Sequence, residues 1–176
     1  AEIRKLLAAP DPAPSVAAMR ASGVLMQVLL GTDDQFLAPL VHVEAAAGVG
    51  PDPIRRLAVL GGEGVPDRLR LSRADAKRLA LLVKEMTSNV LPTELGYRYG
   101  KDAGRDVLLL RAAMENREIN SDAVTDLELG ASATFPLSAK DLMPDHEGPA
   151  LGKRLDTLER RWIASRFKLS RDALLG

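Results

Sequence analysis

Helix-start and helix-stop signals recur along this chain, whereas no alternating apolar–polar run of four or more residues survives inspection as a strand signal. The clearest start is Ser72, an N-cap residue with Asp75 at the third helical position and apolar residues at helical spacing beyond it. Asp52 followed by Pro53 is a second start of the same kind. The pattern predicts an all-α fold, a multi-helix bundle of about eight to ten helices with no significant sheet.

Composition limits the classes of protein that this chain can belong to. At 176 residues it is long enough to bury a core, and because aromatic residues make up only 3%, that core should be aliphatic. The sequence has no cysteine, which excludes disulfides and thiolate metal sites and agrees with a cytoplasmic location. Apolar runs such as Leu79–Val83 are far shorter than the ~20 residues that span a bilayer, so no membrane partner is expected.

The charge balance is zero over the whole chain but uneven along it. Residues 65–84 carry six Lys/Arg against two Asp, and residues 153–171 carry seven Lys/Arg against two acids. Between them, residues 119–152 hold one Lys against six acids. One interpretation is a solvated mixed surface, and the other is two basic faces that meet a polyanion.

Sequence patterns for catalysis are incomplete. Asp126-Leu127-Glu128 and Asp145-His146-Glu147 have the spacing of metal-binding carboxylate pairs, but neither follows a strand or a glycine loop. The run from Gly148 to Arg154 resembles a P-loop, yet it has three residues between its glycines where four are needed. We therefore predict no catalytic, metal-binding or cofactor-binding residue in this chain.

The same Gly148–Arg154 run has the features of an anion-binding helix start. Gly148-Pro149 begins a helix whose first-turn amides have no intrahelical acceptor, and Lys153 and Arg154 add full charges one turn later. The alternative is a plain amphipathic helix with solvated basic residues, since Leu151, Leu155, Leu158, Trp162 and Ile163 form an apolar stripe behind it. The sequence leaves both interpretations open.

The segment DLM…GPALGKRLDTLERRWIASRF…SRDALL resembles the C-terminal end of bacterial class II tRNA nucleotidyltransferases, the CCA-adding and poly(A) polymerase family. Three further segments resemble that family in the same order. They are Glu2–Leu7 at the end of its neck, Leu69–Asp75 at a body helix start, and Tyr97–Lys101 with Asp106–Ala113 in a body helix. The resemblance thus covers nearly the whole chain.

Residues 130–136 have the weakest helix signals and are predicted to be a linker, and with the resemblance this gives the end of a neck helix (1–8), an RNA-binding helical body (9–129) and a small helical tail (137–176). The family's catalytic head, which holds magnesium and CTP or ATP, would precede Glu2. We therefore expect a body-and-tail piece of a longer protein, inactive by itself and without a cofactor of its own. Its expected partners are the acceptor arm and elbow of tRNA and its own N-terminal head.

The RNA contacts are predicted on the basic stretches of the body and tail. The candidate residues are Arg98, Lys101, Lys153 and Arg154, followed by Arg73, Lys77 and Arg78. Two other functions remain as alternatives: a helical protein-interaction or oligomerisation module with no nucleic-acid role and, less favoured, a self-contained hydrolase.

Overall fold

The capping residues seen in the sequence begin helices in the computed structural model of the protein, which describes residues 2–143 and 147–176. Asp52 accepts hydrogen bonds from the backbone N–H groups of Ile54 and Arg55, and the Ser72 hydroxyl accepts one from the N–H of Asp75. Each cap satisfies first-turn donors that would otherwise lack a partner, which fixes where the helix starts.

Within the described residues there are eleven α-helices, one short 3₁₀-helix and no strand. The α-helices are α1 (Glu2–Leu7), α2 (Ala13–Ala21), α3 (Val24–Val28), α4 (Leu37–Ala46), α5 (Pro53–Leu60), α6 (Val65–Arg68), α7 (Arg73–Met86), α8 (Pro92–Met114), α9 (Ser121–Ser132), α10 (Gly148–Ala164) and α11 (Arg171–Leu175). The 3₁₀-helix is Ala139–Leu142. The predicted all-α fold is confirmed, and four of the helices are only four to six residues long.

Buried apolar residues form two clusters. The larger one, which we call the main core, draws on α1 to α9 and includes Leu40, Leu57 and Leu109. The smaller one, the tail core, is built from residues 137–174 around Leu158 and Trp162. None of the described helices is both long and apolar enough to cross a membrane.

Helices α8 and α9 approach each other through glycine. A Cβ atom added to Gly130 would lie 1.8 Å from the carbonyl oxygen of Thr93, and one added to Gly96 would lie 2.0 Å from that of Leu127. These contacts leave no room for any side chain, so the two backbones touch directly. Within α8, Gly100 has φ 78° and ψ 175°, which kinks the helix where other residues would be strained.

The predicted linker, 130–136, begins inside a helix. Helix α9 continues to Ser132, because Gly130 is buried against α8 and holds the last turn in place. The extended stretch between α9 and the tail core is therefore shorter than the sequence indicated. The other domain boundaries stay predictions.

Candidate nucleic-acid interface

The solvent-facing side of α10 is basic. Its inward side buries Leu158 and Trp162 in the tail core, so residues half a turn away point to water. That outer side, which we call the α10 basic face, consists of four exposed residues: Lys153, Arg154, Arg160 and Arg161. Asp156 is the acid that accompanies them, and it pairs with Arg160.

Three cations of this face are free of ion pairs. Lys153, Arg154 and Arg161 have no carboxylate within 4.0 Å among the residues that the structure describes. The N-terminus of α10 follows Glu147, whose side chain makes no capping hydrogen bond to the first turn. The predicted contacts Lys153 and Arg154 are therefore brought together with two further arginines on one helix.

Helix α7 carries a second row of exposed cations. Arg73, Lys77 and Lys84 are spaced four and seven residues apart, so they lie along one side of the helix, which we call the α7 basic face. Lys84 contacts Glu85 at 2.9 Å, whereas Arg73 and Lys77 make no ion pair with a described residue. The intervening Ala80 leaves this row unobstructed.

Arg78 lies on a different side of α7 from Arg73 and Lys77. Its guanidinium contacts Asp52 at 2.8 Å and Asp106 at 2.5 Å, and it is only partly exposed. Although burial opposes its charge, hydrogen bonds to Asp106 and Asp52 raise the pKa of Arg78. Burial also opposes the charge of Asp52, but the backbone N–H of Arg55 and the guanidinium of Arg78 lower the pKa of Asp52 overall. Two carboxylates already pair with this cation. Arg78 therefore belongs to an ion network inside the protein and lies apart from Arg73 and Lys77, the other predicted RNA contacts on α7.

Asp106 connects Arg78 to a buried ion network. Asp106 also accepts a hydrogen bond from Arg55 at 2.7 Å, and Glu44 accepts from both Arg55 and Arg56. Arg56 is 1% exposed, and its remaining N–H groups donate to the carbonyl oxygens of Leu7, Ala9 and Pro10. With three arginines and three acids including Asp52, this network is neutral and ties α1, α4, α5, α7 and α8 together.

Arg98 and Lys101 stand on α8 with acidic partners. Arg98 donates to Glu94 at 2.6 Å, which raises the pKa of Arg98, and Lys101 contacts Glu128 of α9 at 2.5 Å. Both pairs are substantially exposed, and such pairs are worth about 0–1 kcal/mol, so a phosphate can replace the carboxylate at little cost.

Arg98, on α8, lies close to the α10 basic face. Arg98 and Arg160 line one groove of about 350 Å³, with Ile163 and Ala164 at its base. Lys153 and Arg154 lie about two turns before Arg160 on the same helix. The structure thus groups five of the basic residues around α10, while Arg73 and Lys77 form a separate row on α7.

The acidic pair Asp126 and Glu128 is engaged in ion pairs. Asp126 bonds to Arg166 and Glu128 to Lys101, on the surface of α9. Across residues 2–143 and 147–176, no group of three His, Asp or Glu side chains is placed to hold a metal ion. Asp145 and His146, from the other carboxylate pair, lie outside the described residues.

Several cations of these faces were not singled out from the sequence. Arg160, Arg161 and Lys84 belong to the basic stretches, and a count at 3.6-residue spacing from Lys153 and Arg73 would have identified them.

Comparison with protein-family descriptions, with curated proteins and with solved structures gives no match to this chain.

Proposed function

We propose that this chain is an RNA-binding module that grips a structured RNA by its phosphate backbone. In this proposal the α10 basic face and Arg98 form one contact surface, and the α7 basic face forms another. The RNA would be the acceptor arm and elbow of tRNA, held while a catalytic head on the same protein extends its 3′ end.

The observation that carries the proposal is that three of the four cations on the α10 basic face have no ion pair with a described residue. Exposed cations such as Arg20 and Arg171 have a carboxylate partner. Lys153, Arg154 and Arg161 do not, and they share one side of a helix with Arg160. When unpaired cations neutralise phosphates, the counterions condensed on the nucleic acid are released. This release is the main source of non-specific nucleic-acid affinity.

The aromatic residues favour double-helical RNA over single strands. None of the six aromatic side chains is exposed: Trp162, Phe135, Phe167 and Tyr97 pack on one another, and Tyr99 and Phe36 pack against the main core. A single-strand binder needs exposed rings on which bases stack. Cations without rings suit a duplex, which proteins meet through phosphates and 2′-hydroxyls.

The identity of the parent protein rests on the resemblance alone. DLM…GPALGKRLDTLERRW and the three further segments support a class II tRNA nucleotidyltransferase of the CCA-adding or poly(A) polymerase type. In that case magnesium and CTP or ATP bind to the head, this chain alone has no transferase activity, and the protein acts in the cytoplasm.

A tRNA titration followed by fluorescence anisotropy tests the RNA proposal. We expect binding at ~50 mM salt that weakens steeply toward ~200 mM, because each phosphate contact adds about 0.9 to the slope of log affinity against log salt. The double variant Lys153→Glu/Arg154→Glu should bind more weakly and lower the slope by about 2. The matched control is Lys140→Glu, which reverses an exposed cation outside both basic faces.

Affinity that is undetectable at ~50 mM salt, or that does not depend on salt, would reject the RNA proposal. The same loss of binding free energy per reversed charge in the double variant and in Lys140→Glu would show that overall charge, not the α10 basic face, governs binding. A separate assay with tRNA, magnesium, ATP and CTP tests the parentage: the chain alone should add no nucleotide, and extension would reveal an active site within it.

A protein-interaction role is the second candidate, and one groove favours it. The turn at residues 61–64 and helix α7 enclose an apolar groove of about 290 Å³, with Val83 40% exposed on its wall. Lys77 and Lys84 directly follow the groove residues Ala76 and Val83 on α7, so a partner there would present apolar side chains bordered by acids. Val83→Asp should abolish such binding and leave the affinity for tRNA at the α10 basic face unchanged.

A further inference from the structure

A polar cleft lies on the molecule between the end of α7, the last turns of α8 and the start of α9. Its volume is about 380 Å³, within the range of small-molecule sites. Its floor and walls include Leu91, Leu108 and Ile119, and Arg111 lies among them. We call it the Arg111 cleft.

Arg111 is held rigidly in this cleft. Its Nε and Nη2 donate to the carbonyl oxygen of Glu85 at 3.2 and 2.9 Å, and Nη2 also donates to the Ser88 hydroxyl at 3.0 Å. Nη1 donates to the carbonyl oxygen of Val90 at 2.8 Å. Four of the five guanidinium N–H groups are thereby used, and one on Nη1 is left.

Arg111 makes no direct ion pair with a described residue, although the Ser88 hydroxyl that it contacts donates in turn to the buried Glu85 carboxylate at 2.7 Å. Of the other half-buried or buried arginines, Arg4, Arg55, Arg56 and Arg78 each contact a carboxylate, whereas Arg105 donates to the carbonyl oxygen of Ala47 and meets no described carboxylate. Arg111 donates to uncharged oxygens, and burial lowers its pKa by more than the attraction of the nearby Glu85 and Glu115 carboxylates raises it. Glu115, which also lines the cleft, is bonded to Arg117 instead.

Two carboxamides at the cleft add hydrogen-bond donors. Asn120 uses its oxygen to cap α9 by accepting from the N–H of Asp122, so its NH₂ group faces no described acceptor. Asn89 makes no side-chain hydrogen bond with a described residue, and it also lines the cleft. The cleft therefore has, among the described residues, carboxamide groups with free donors beside the guanidinium of Arg111.

From this geometry we propose that the Arg111 cleft binds a small organic anion. The acidic group, a phosphate or a carboxylate, meets Arg111 and the carboxamide of Asn120, and the apolar part of the ligand lies on Leu91, Leu108 and Ile119. This site is separate from both basic faces, and its test does not depend on RNA binding.

The experiment is a protein-observed NMR titration with five probes. Benzoate and phenyl phosphate combine an anion with an apolar body, benzamide removes the charge, and acetate and inorganic phosphate remove the body. We expect benzoate, phenyl phosphate or both to shift the signals of residues 86–92, 108–111 and 119–123, with affinities at least about tenfold above those of the other probes. Which of the two binds identifies the acidic group.

Asn120→Asp is the informative variant. Aspartate keeps the N-cap oxygen of α9 but adds a negative charge to the cleft, so the fold is retained and anion affinity should fall about tenfold. The matched control is Asn116→Asp, the same substitution at a residue that does not line the cleft, which should leave affinity unchanged. Arg111→Gln removes the cation itself, but it also removes hydrogen bonds to the end of α7. If Arg111→Gln fails to fold, Asn120→Asp is the variant that tests the proposal.

Three results would overturn the proposal. They are no chemical-shift change with benzoate or phenyl phosphate at ~10 mM, benzamide binding as tightly as benzoate, and equal affinities of Asn120→Asp and the wild type.

Discussion

The phenolic hydroxyl of Tyr97 donates a hydrogen bond to Oε1 of Glu159 at 2.6 Å, which joins α8 of the main core to α10 of the tail. The Tyr97 ring also meets Trp162 edge to face, with ring centroids 5.5 Å apart. A second link, between Arg166 and Asp126, lies nearby on α9. The contacts of Tyr97 therefore help to fix the position of the α10 basic face relative to Arg98.

Replacing Tyr97 by phenylalanine tests that dependence. Tyr97→Phe keeps the ring contacts and removes the bond to Glu159, which should cost about 1–2 kcal/mol. Amide hydrogen exchange should accelerate across α10 and stay unchanged in α5 and α8, because the loss is local to the tail. The control is Tyr99→Phe, whose hydroxyl donates to Glu85 in the main core at 2.8 Å. Faster exchange of α10 in that control, or unchanged exchange in Tyr97→Phe, would contradict this role.

The pH dependence of the same contact has a definite sign. Burial and the hydrogen bond to Glu159 raise the pKa of Tyr97 from 10.0 to about 12. A raised pKa in the folded state means that Tyr97 contributes its full stability below pH 10 and loses it as the pH rises through about 12. Because the chain has two tyrosines, the absorbance of tyrosinate in Tyr99→Phe reports on Tyr97 alone. A midpoint near pH 10 in the folded protein would contradict the buried, hydrogen-bonded state.

Helix boundaries were predictable because the signals that set them are local. Ser72 caps an amide three residues away, and Asp52 caps amides two and three residues away, so the sequence alone contains each interaction. The cations of α10 were predictable for the same reason, since helical spacing places Lys153 and Arg154 opposite the apolar stripe.

Contacts between distant segments were not predictable in this way. Arg55 and Arg56 follow a helix cap and look like solvated surface residues, yet they are 3% and 1% exposed. Their burial depends on Glu44, eleven and twelve residues earlier, and on Asp106, 51 residues after Arg55. No sequence pattern pairs these residues, and the internal role of Arg78 follows from the same network.

Glu44→Gln tests whether this network stabilises the fold. The amide keeps the shape of the side chain but leaves Arg55 and Arg56 with one buried carboxylate fewer, so the free energy of unfolding should fall by about 3–5 kcal/mol. The matched control is Glu128→Gln, which breaks the exposed pair with Lys101 and should cost no more than about 1 kcal/mol. Urea unfolding followed by circular dichroism measures both, and similar losses in the two variants would rule out a special role for the buried ions.

Glycine-to-alanine substitutions separate close packing from helix propensity. At Gly130 the new Cβ would meet the carbonyl oxygen of Thr93 at 1.8 Å, so α8 and α9 must move apart, at a cost of about 3 kcal/mol or more. At Gly152, in the exposed first half of α10, no atom lies within 4 Å of the added Cβ. There the same change should stabilise the protein by about 0.5–1 kcal/mol, because alanine loses less backbone entropy in a helix. Thermal unfolding of the two variants should therefore shift in opposite directions, and a destabilised Gly152→Ala would show that the start of α10 is packed against another part of the chain.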